Sequence, residues 1–284
     1  MNGGKVHPKR YDPITTTEEV IRMMKRRLLS EEDFQILKVL GDAICANENQ
    51  MKRYMTSQLS YSKVTNRLNR MREKGLVERW LVKSDLHEEK HPAPFTLGIA
   101  GFKILKHYYS HMFFMLPDKW ERLGLRTVQR YVAANEIRCQ LAEKMILKNW
   151  KWNAVMNHNP MLTKLFGVGE VDTPQGVLNF AFERVQTGRD FKRFLTNKFQ
   201  MWKAVHEQYG NLPINGLEKN PTVVVVFAST LTLAEHVQKT LLLDLLPFHT
   251  LVCVEEDIWS RGIANSFYAP KKGGLTPVRM SFME

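Results

Sequence analysis

The chemistry that stands out first is a basic, amide-bearing face at helical spacing. After Ser60 the chain places Lys63, Asn66, Arg67 and Arg70 on one side of a helix and Val64, Leu68 and Met71, at i, i+4 and i+7, on the other. Guanidinium and amide groups pair with base edges in the major groove, and each Lys or Arg that meets a phosphate releases a condensed counterion. This face, from about Tyr61 to Lys74, is therefore expected to read bases with Ser62, Lys63, Asn66, Arg67 and Arg70. Lys52, Arg53, Arg72, Lys83 and Lys90 are expected to grip the backbone. Between Gln50 and Lys83 there are nine basic residues (Lys52, Arg53, Lys63, Arg67, Arg70, Arg72, Lys74, Arg79, Lys83) against two acidic ones (Glu73, Glu78). More than half of the chain's net charge of +12 thus falls in this short stretch. Charge alone would not separate DNA from RNA or an anionic membrane.

A second constellation is acidic: Glu170, Asp172 and Glu183. A carboxylate on one strand beside Glu183 on the next, at a sheet edge, could hold Mg²⁺ and activate water for phosphodiester attack. Such a site wants a Lys two residues past the glutamate, where Val185 stands, and Arg184 points to the other face because strand neighbours alternate. Lys192 or Lys198, from the helix that follows, could supply the charge instead.

Other candidates carry less. Gly167 and Gly169 make G-x-G, but Asp172 occupies the place of the third glycine, and no G-x-x-x-x-G-K-[ST] occurs, which argues against a nucleotide-binding enzyme. His107 and His111 are four apart without an acidic or thiolate neighbour, and His87 and His91 have the same spacing; packing of His107 and His111 is expected rather than metal binding at either pair. Cys45, Cys139 and Cys253 lie far apart, consistent with buried thiols and not with a disulfide framework or zinc site. No cofactor is expected, unless Mg²⁺ at the acidic constellation.

The basic face needs elements to hold it, and the flanking sequence supplies them. Residues 1–14 read as a loose arm and Thr16 with Glu19 as the start of a short basic helix, together residues 1–29. Ser30 with Asp33 opens an amphipathic helix carrying Phe34, Ile36, Leu37, Leu40, Ala43 and Ile44, and a second helix follows from about Glu48 to Ser57. After the basic helix Gly75 ends it, Leu76–Val82 alternates as a strand, and Phe95-Thr-Leu reads as the return strand. Three helices and a hairpin make a winged helix-turn-helix over residues 30–116, with Lys83, Lys90 and His91 at the wing.

Residues 117–270 mix helices and strands. A long helix is expected from about Leu125 to Leu147, then strands at Trp150–Met156 and Gly176–Val185, and a helix over Asp190–Tyr209. A buried strand at Thr222–Ser229 follows, then a helix capped by Thr232 with Glu235 and a strand at Leu251–Val254. Residues 271–284 read as a tail. The fold class is α+β: an N-terminal winged helix followed by a small mixed α/β domain of helices on a sheet. No apolar run approaches the ~18 residues of a membrane span, and the first residues lack a signal-peptide pattern, so a cytoplasmic protein without membrane association is expected.

Four segments together resemble the replication-relaxation family. They are Phe95-Thr-Leu-Gly-Ile-Ala-Gly-Phe-Lys-Ile-Leu105, Arg130-Tyr-Val-Ala-Ala-Asn-Glu-Ile-Arg138, Phe182-Glu-Arg-Val-Gln-Thr-Gly188 with Lys198 downstream, and Val223-Val-Val-Val-Phe-Ala-Ser229. The resemblance implies a plasmid or conjugative-element protein with a winged helix joined to a degenerate restriction-endonuclease-like domain. It further implies double-stranded DNA as partner, with a role in replication, transfer or their control alongside replication or transfer proteins. Two other readings stay open: a metal-dependent nuclease or nickase using Glu183 with Glu170 or Asp172, and a transcriptional repressor on a palindrome. Homodimerisation suits all three, since winged helices commonly bind paired half-sites.

Overall fold

The computed structural model describes residues 4–81, 93–188 and 190–284, which divide into two compact units, Met1–Cys139 and Gln140–Glu284. In the first, β1 (Gly4–Val6), α1 (Thr17–Lys25), α2 (Glu31–Ala43), β2 (Ala46–Asn47), α3 (Glu48–Tyr54), α4 (Tyr61–Glu73), β3 (Val77–Leu81), β4 (Pro94–Leu97) and α5 (Ile99–Tyr108) follow one another. Most of α6 (Lys119–Glu143) belongs here too.

Capping fixes the helix starts. Ser30 and Asp33 satisfy each other's backbone N–H at the head of α2, and Asn47 and Gln50 do the same for α3. The helices are held by their apolar sides: Ile36, Leu37 and Leu40 of α2 pack with Val64, Leu68 and Met71 of α4 and with Ile104 and Leu105 of α5 in one cluster. Gly75, at φ +68°, turns the chain out of α4 into β3. Gly98 and Gly101 let α5 lie directly on that turn, because a Cβ at either would come within 2.1 Å of the carbonyl oxygen of Gly75 or Leu76.

The strands pair in the order β1-β3-β4-β2, all antiparallel. Helix, strand, helix, helix and a two-stranded hairpin, with the first short strand paired to the last, is the winged-helix arrangement expected from sequence. The N-terminal arm is not loose, however. Gly4, Lys5 and Val6 pair with Leu81, Trp80 and Arg79, extending the sheet by a strand that alternation could not reveal in so short a run. The helix placed by sequence at the head of the second half joins the first unit: Asn135 donates to the carbonyls of Ala43 and Cys45, both at 2.8 Å.

The second unit holds β5 (Leu147–Ala154), β6 (Leu165–Thr173), β7 (Gly176–Arg184), α7 (Phe191–Tyr209), β8 (Thr222–Ala228), α8 (Leu231–Leu241), β9 (Thr250–Val254), α9 (Glu255–Arg261), β10 (Phe267–Lys271) and β11 (Gly274–Val278). Its sheet has seven strands in the order β11-β10-β9-β8-β7-β6-β5 and is larger than expected. β7, β8 and β9 are parallel, and antiparallel partners flank them on both sides. The segment read as a tail, residues 271–284, starts at the end of β10 and carries β11, which pairs back on β10. The cap of α8 is Thr230, which accepts from Leu233 N–H at 3.2 Å, and not Thr232.

β8 is buried on both faces, as its continuous apolar run required. On one face Val224 and Val226 join Ala181, Val168 and Val252 beneath Leu195, Phe199 and Trp202 of α7 and Ala234 and Val237 of α8. On the other, Trp150 stacks on Phe182 at 5.7 Å. Gly167 makes room for that indole, since a Cβ there would stand 2.9 Å from Trp150 Cζ2. The G-x-G pair thus serves aromatic packing between β5 and β6.

Candidate nucleic-acid interface

α4 is seated by Val64, Leu68 and Met71, each no more than 1% exposed. Its far side presents Tyr61, Ser62, Lys63, Asn66, Asn69 and Arg70, all exposed. Lys63, Asn66 and Asn69 have no side-chain hydrogen bond or ion pair among the described residues. The helix before it, α3, is fixed by Gln50, whose amide also donates to the Val132 carbonyl at 2.8 Å.

The two arginines expected to read bases are drawn aside. Arg67 donates through Nη1 to Ser30 Oγ at 2.7 Å and to Asp33 Oδ1 at 2.8 Å, while its Nη2 meets Glu32. Arg70 pairs with the other oxygen of Asp33. Asp33 is fully buried, and a buried carboxylate must be compensated by hydrogen bonds and opposite charge. Arg67, at 19% exposure, acts as a strut between α4 and the head of α2. Arg70, at 53%, keeps an open side. Sequence spacing showed which face these arginines occupy, but could not show that the acidic first turn of α2 lies beside them.

The backbone-gripping set is likewise divided. Lys52 Nζ lies 2.7 Å from Glu48 one turn earlier, and Arg53 Nη1 lies 2.6 Å from Glu136 on α6. Burial opposes ionisation of Glu48, yet hydrogen bonds from Lys52 and Thr65 and the charges of Lys52 and Arg79 bring its pKa below the usual range. Arg72 is pushed down from the ordinary arginine value, by burial first and then by the charge of Arg79 on β3. The Nε atoms of Arg72 and Arg79 are both buried with no hydrogen-bond acceptor among the described residues. Lys83, Lys90 and the His87/His91 pair lie outside the described residues. Asn69 and Arg79 were missed by the sequence reading: Asn69 follows Asn66 by one helical step, whereas Arg79 had only strand alternation to mark it.

The acidic constellation does not assemble. Glu170 stands opposite Asn179 in the β6–β7 register, four residues before Glu183, so about 13 Å of strand separates them at ~3.3 Å per residue. Asp172 lies farther along, opposite Val177, and pairs with Lys148 at 2.7 Å. Glu170 instead accepts from Asn220 Nδ2 at 3.0 Å. β7 is not a sheet edge either, being flanked by β6 and β8. Lys198 does reach Glu183, as the migrated-lysine reading required: Nζ lies 2.6 Å from Oε2, with the side chains 3% and 1% exposed. Lys192 is exposed on the first turn of α7. Arg184 lies over the Phe227 ring at 4.3 Å and pairs with Glu255.

Among the described residues no three His, Cys, Asp or Glu side chains are grouped to hold a metal ion. His107 and His111 are both exposed, contrary to the expectation that they pack. α5 ends at Tyr108, so the two do not share a helix. The three cysteines are buried thiols outside any disulfide, and burial pushes Cys253 up to about 12. Among the described residues no helix is long and apolar enough to cross a membrane.

No curated protein matches the chain. One solved structure, described as "Multiple Antibiotic Resistance Repressor, MarR", is similar at 20% identity over 35% of this chain and 75% of that one. Its TM-score of 0.25 is too low to bear on the fold. The profile of the family described as Replication-relaxation matches residues 37–184, just over half of the 284 residues, from the middle of α2 to the end of β7. The chain belongs to the replication-relaxation family.

Proposed function

We propose that the winged helix binds double-stranded DNA, with α4 entering the major groove, in the replication or transfer of a plasmid or mobile element or in the control of these. The observation that carries this reading is the exposed face of α4, where Ser62, Lys63, Asn66, Asn69 and Arg70 stand at helical spacing on a helix anchored by three buried apolar residues. Lys63 and the two amides are unengaged among the described residues and so available to base edges, with Arg70 exchanging its bond to Asp33 for one to DNA. The match to the replication-relaxation family supports a role in replication.

Fluorescence anisotropy against random duplex and against tiled fragments of the source genetic element, at two salt concentrations, tests the reading. Preference for one fragment that survives the higher salt, and that is relaxed by about 1–3 kcal/mol in Asn66→Ala or Arg70→Ala, is expected. Unchanged binding in Lys63→Ala, Asn66→Ala and Arg70→Ala alike removes α4 from the interface.

A further inference from the structure

Arg72 and Arg79 form an unusual pair. One sits near the end of α4 and the other near the start of β3, joined by the tight turn through Gly75 and within range of each other's charge. Both are only partly exposed, and the Nε of each is shielded from solvent without an acceptor among the described residues. Burial of the inner Nε atoms leaves the outer nitrogens of the two guanidiniums as the groups an anion can reach, and like charges within range of each other repel unless an anion joins them. Glu73, which acts on Arg72, is exposed at the end of α4, and Glu48, which feels Arg79, is already engaged by Lys52 and by the Thr65 hydroxyl at 2.7 Å.

The position of the pair says which anion fits. Thr65, Asn69 and Arg72 follow one another at i, i+4 and i+7, so the pair ends a stripe bordering the exposed face of α4. Planar guanidinium forks match phosphate oxygens bidentately. We infer that Arg72 and Arg79 clamp a single backbone phosphate of the DNA duplex beside the recognition helix. This rests on the reading of α4 as the groove-facing element and adds Arg79, on the wing strand, to the contact.

The test is anisotropy of the full chain with random-sequence duplex over a range of salt, for wild type, Arg72→Gln, Arg79→Gln, the double variant and Lys63→Gln. Each single arginine change is expected to weaken every duplex about tenfold, the scale of one charged hydrogen bond. Each should also lower the salt slope by about one unit, and the double variant by about one rather than two, because one phosphate is shared. Melting temperatures should hold or rise, since like-charge crowding is relieved. Unchanged affinity and slope in Arg79→Gln while Lys63→Gln weakens binding would overturn the clamp and leave the DNA reading standing. A fall in melting temperature without a change in slope makes Arg79 structural and equally overturns it. Loss of effect in every variant, Lys63→Gln included, refutes the DNA reading itself.

Discussion

The pair Glu183–Lys198 separates a structural role from a catalytic one. Both side chains are at least 97% buried and 2.6 Å apart, with Lys198 also 5.1 Å from the Trp202 ring centroid and 5.5 Å from that of Phe194. Removing one side chain takes from the other buried charge its ion pair, which costs about 3–5 kcal/mol, whereas replacing both by apolar groups of similar volume is close to neutral. Glu183→Leu and Lys198→Met singly should each lower stability by that amount. For a unit of this size, at a few degrees per kcal/mol, the melting temperature should fall by roughly 10–15 °C. The double variant should lie within about 1 kcal/mol of wild type, giving a coupling of at least about 5 kcal/mol in magnitude. Urea unfolding with a constant slope is the assay. Additive losses in the double variant, or singles that cost under about 1 kcal/mol, refute the argument. So would Mg²⁺-dependent DNA cutting that disappears in Glu183→Gln while the fold persists, since a working nuclease needs that carboxylate for its metal.

Asp33→Ala removes a cap and the common anchor of Arg67 and Arg70. Because both arginines touch solvent and Arg67 retains Ser30 and Glu32, a loss of about 2–3 kcal/mol is expected by chemical denaturation, and less than 1 would deny the strut. Gly101→Ala drives a Cβ to 2.1 Å from the Leu76 carbonyl, so α5 must lift off the turn. A loss above about 2 kcal/mol is expected by thermal melting, and a silent change would show that the contact yields. Glu78 is held above the usual carboxylate range, chiefly by burial, with Lys5 opposing. The folded state therefore binds this proton more tightly than the unfolded chain, and the contribution of Glu78 falls as pH rises from its unfolded pKa through the raised folded one. Relative to wild type, Glu78→Gln should gain stability across that window; a constant difference between the two from pH 4 upward would contradict it.

What the sequence made legible was whatever repeats with a short period. Val64, Leu68 and Met71 betrayed the seat of α4, the Val223–Phe227 run betrayed a doubly covered strand, and Ser30 with Asp33 marked a helix start to the residue. The rest depended on partners distant in the chain. Nothing near Arg67 says that Glu32 and Asp33 lie beside it, because that contact comes from α2 crossing α4. The β6–β7 register, which keeps Glu170 from Glu183, is fixed by the tight turn that pairs Thr173 with Gly176, and with no strand expected over β6 that turn went unread. Strands of three to five residues such as β1, β10 and β11 are too short for alternation to stand out from chance.

The seven strands from β5 to β11 lie across the sheet in the order in which the chain is made. Each new strand needs to find only its predecessor, by a hairpin at either flank or over one helix in the parallel centre, so no step waits for a segment not yet synthesised. Closure entropy is met in small local instalments. The sheet can then grow on the ribosome from β5 outward, with β5 at one edge from the start and β11 added last at the other.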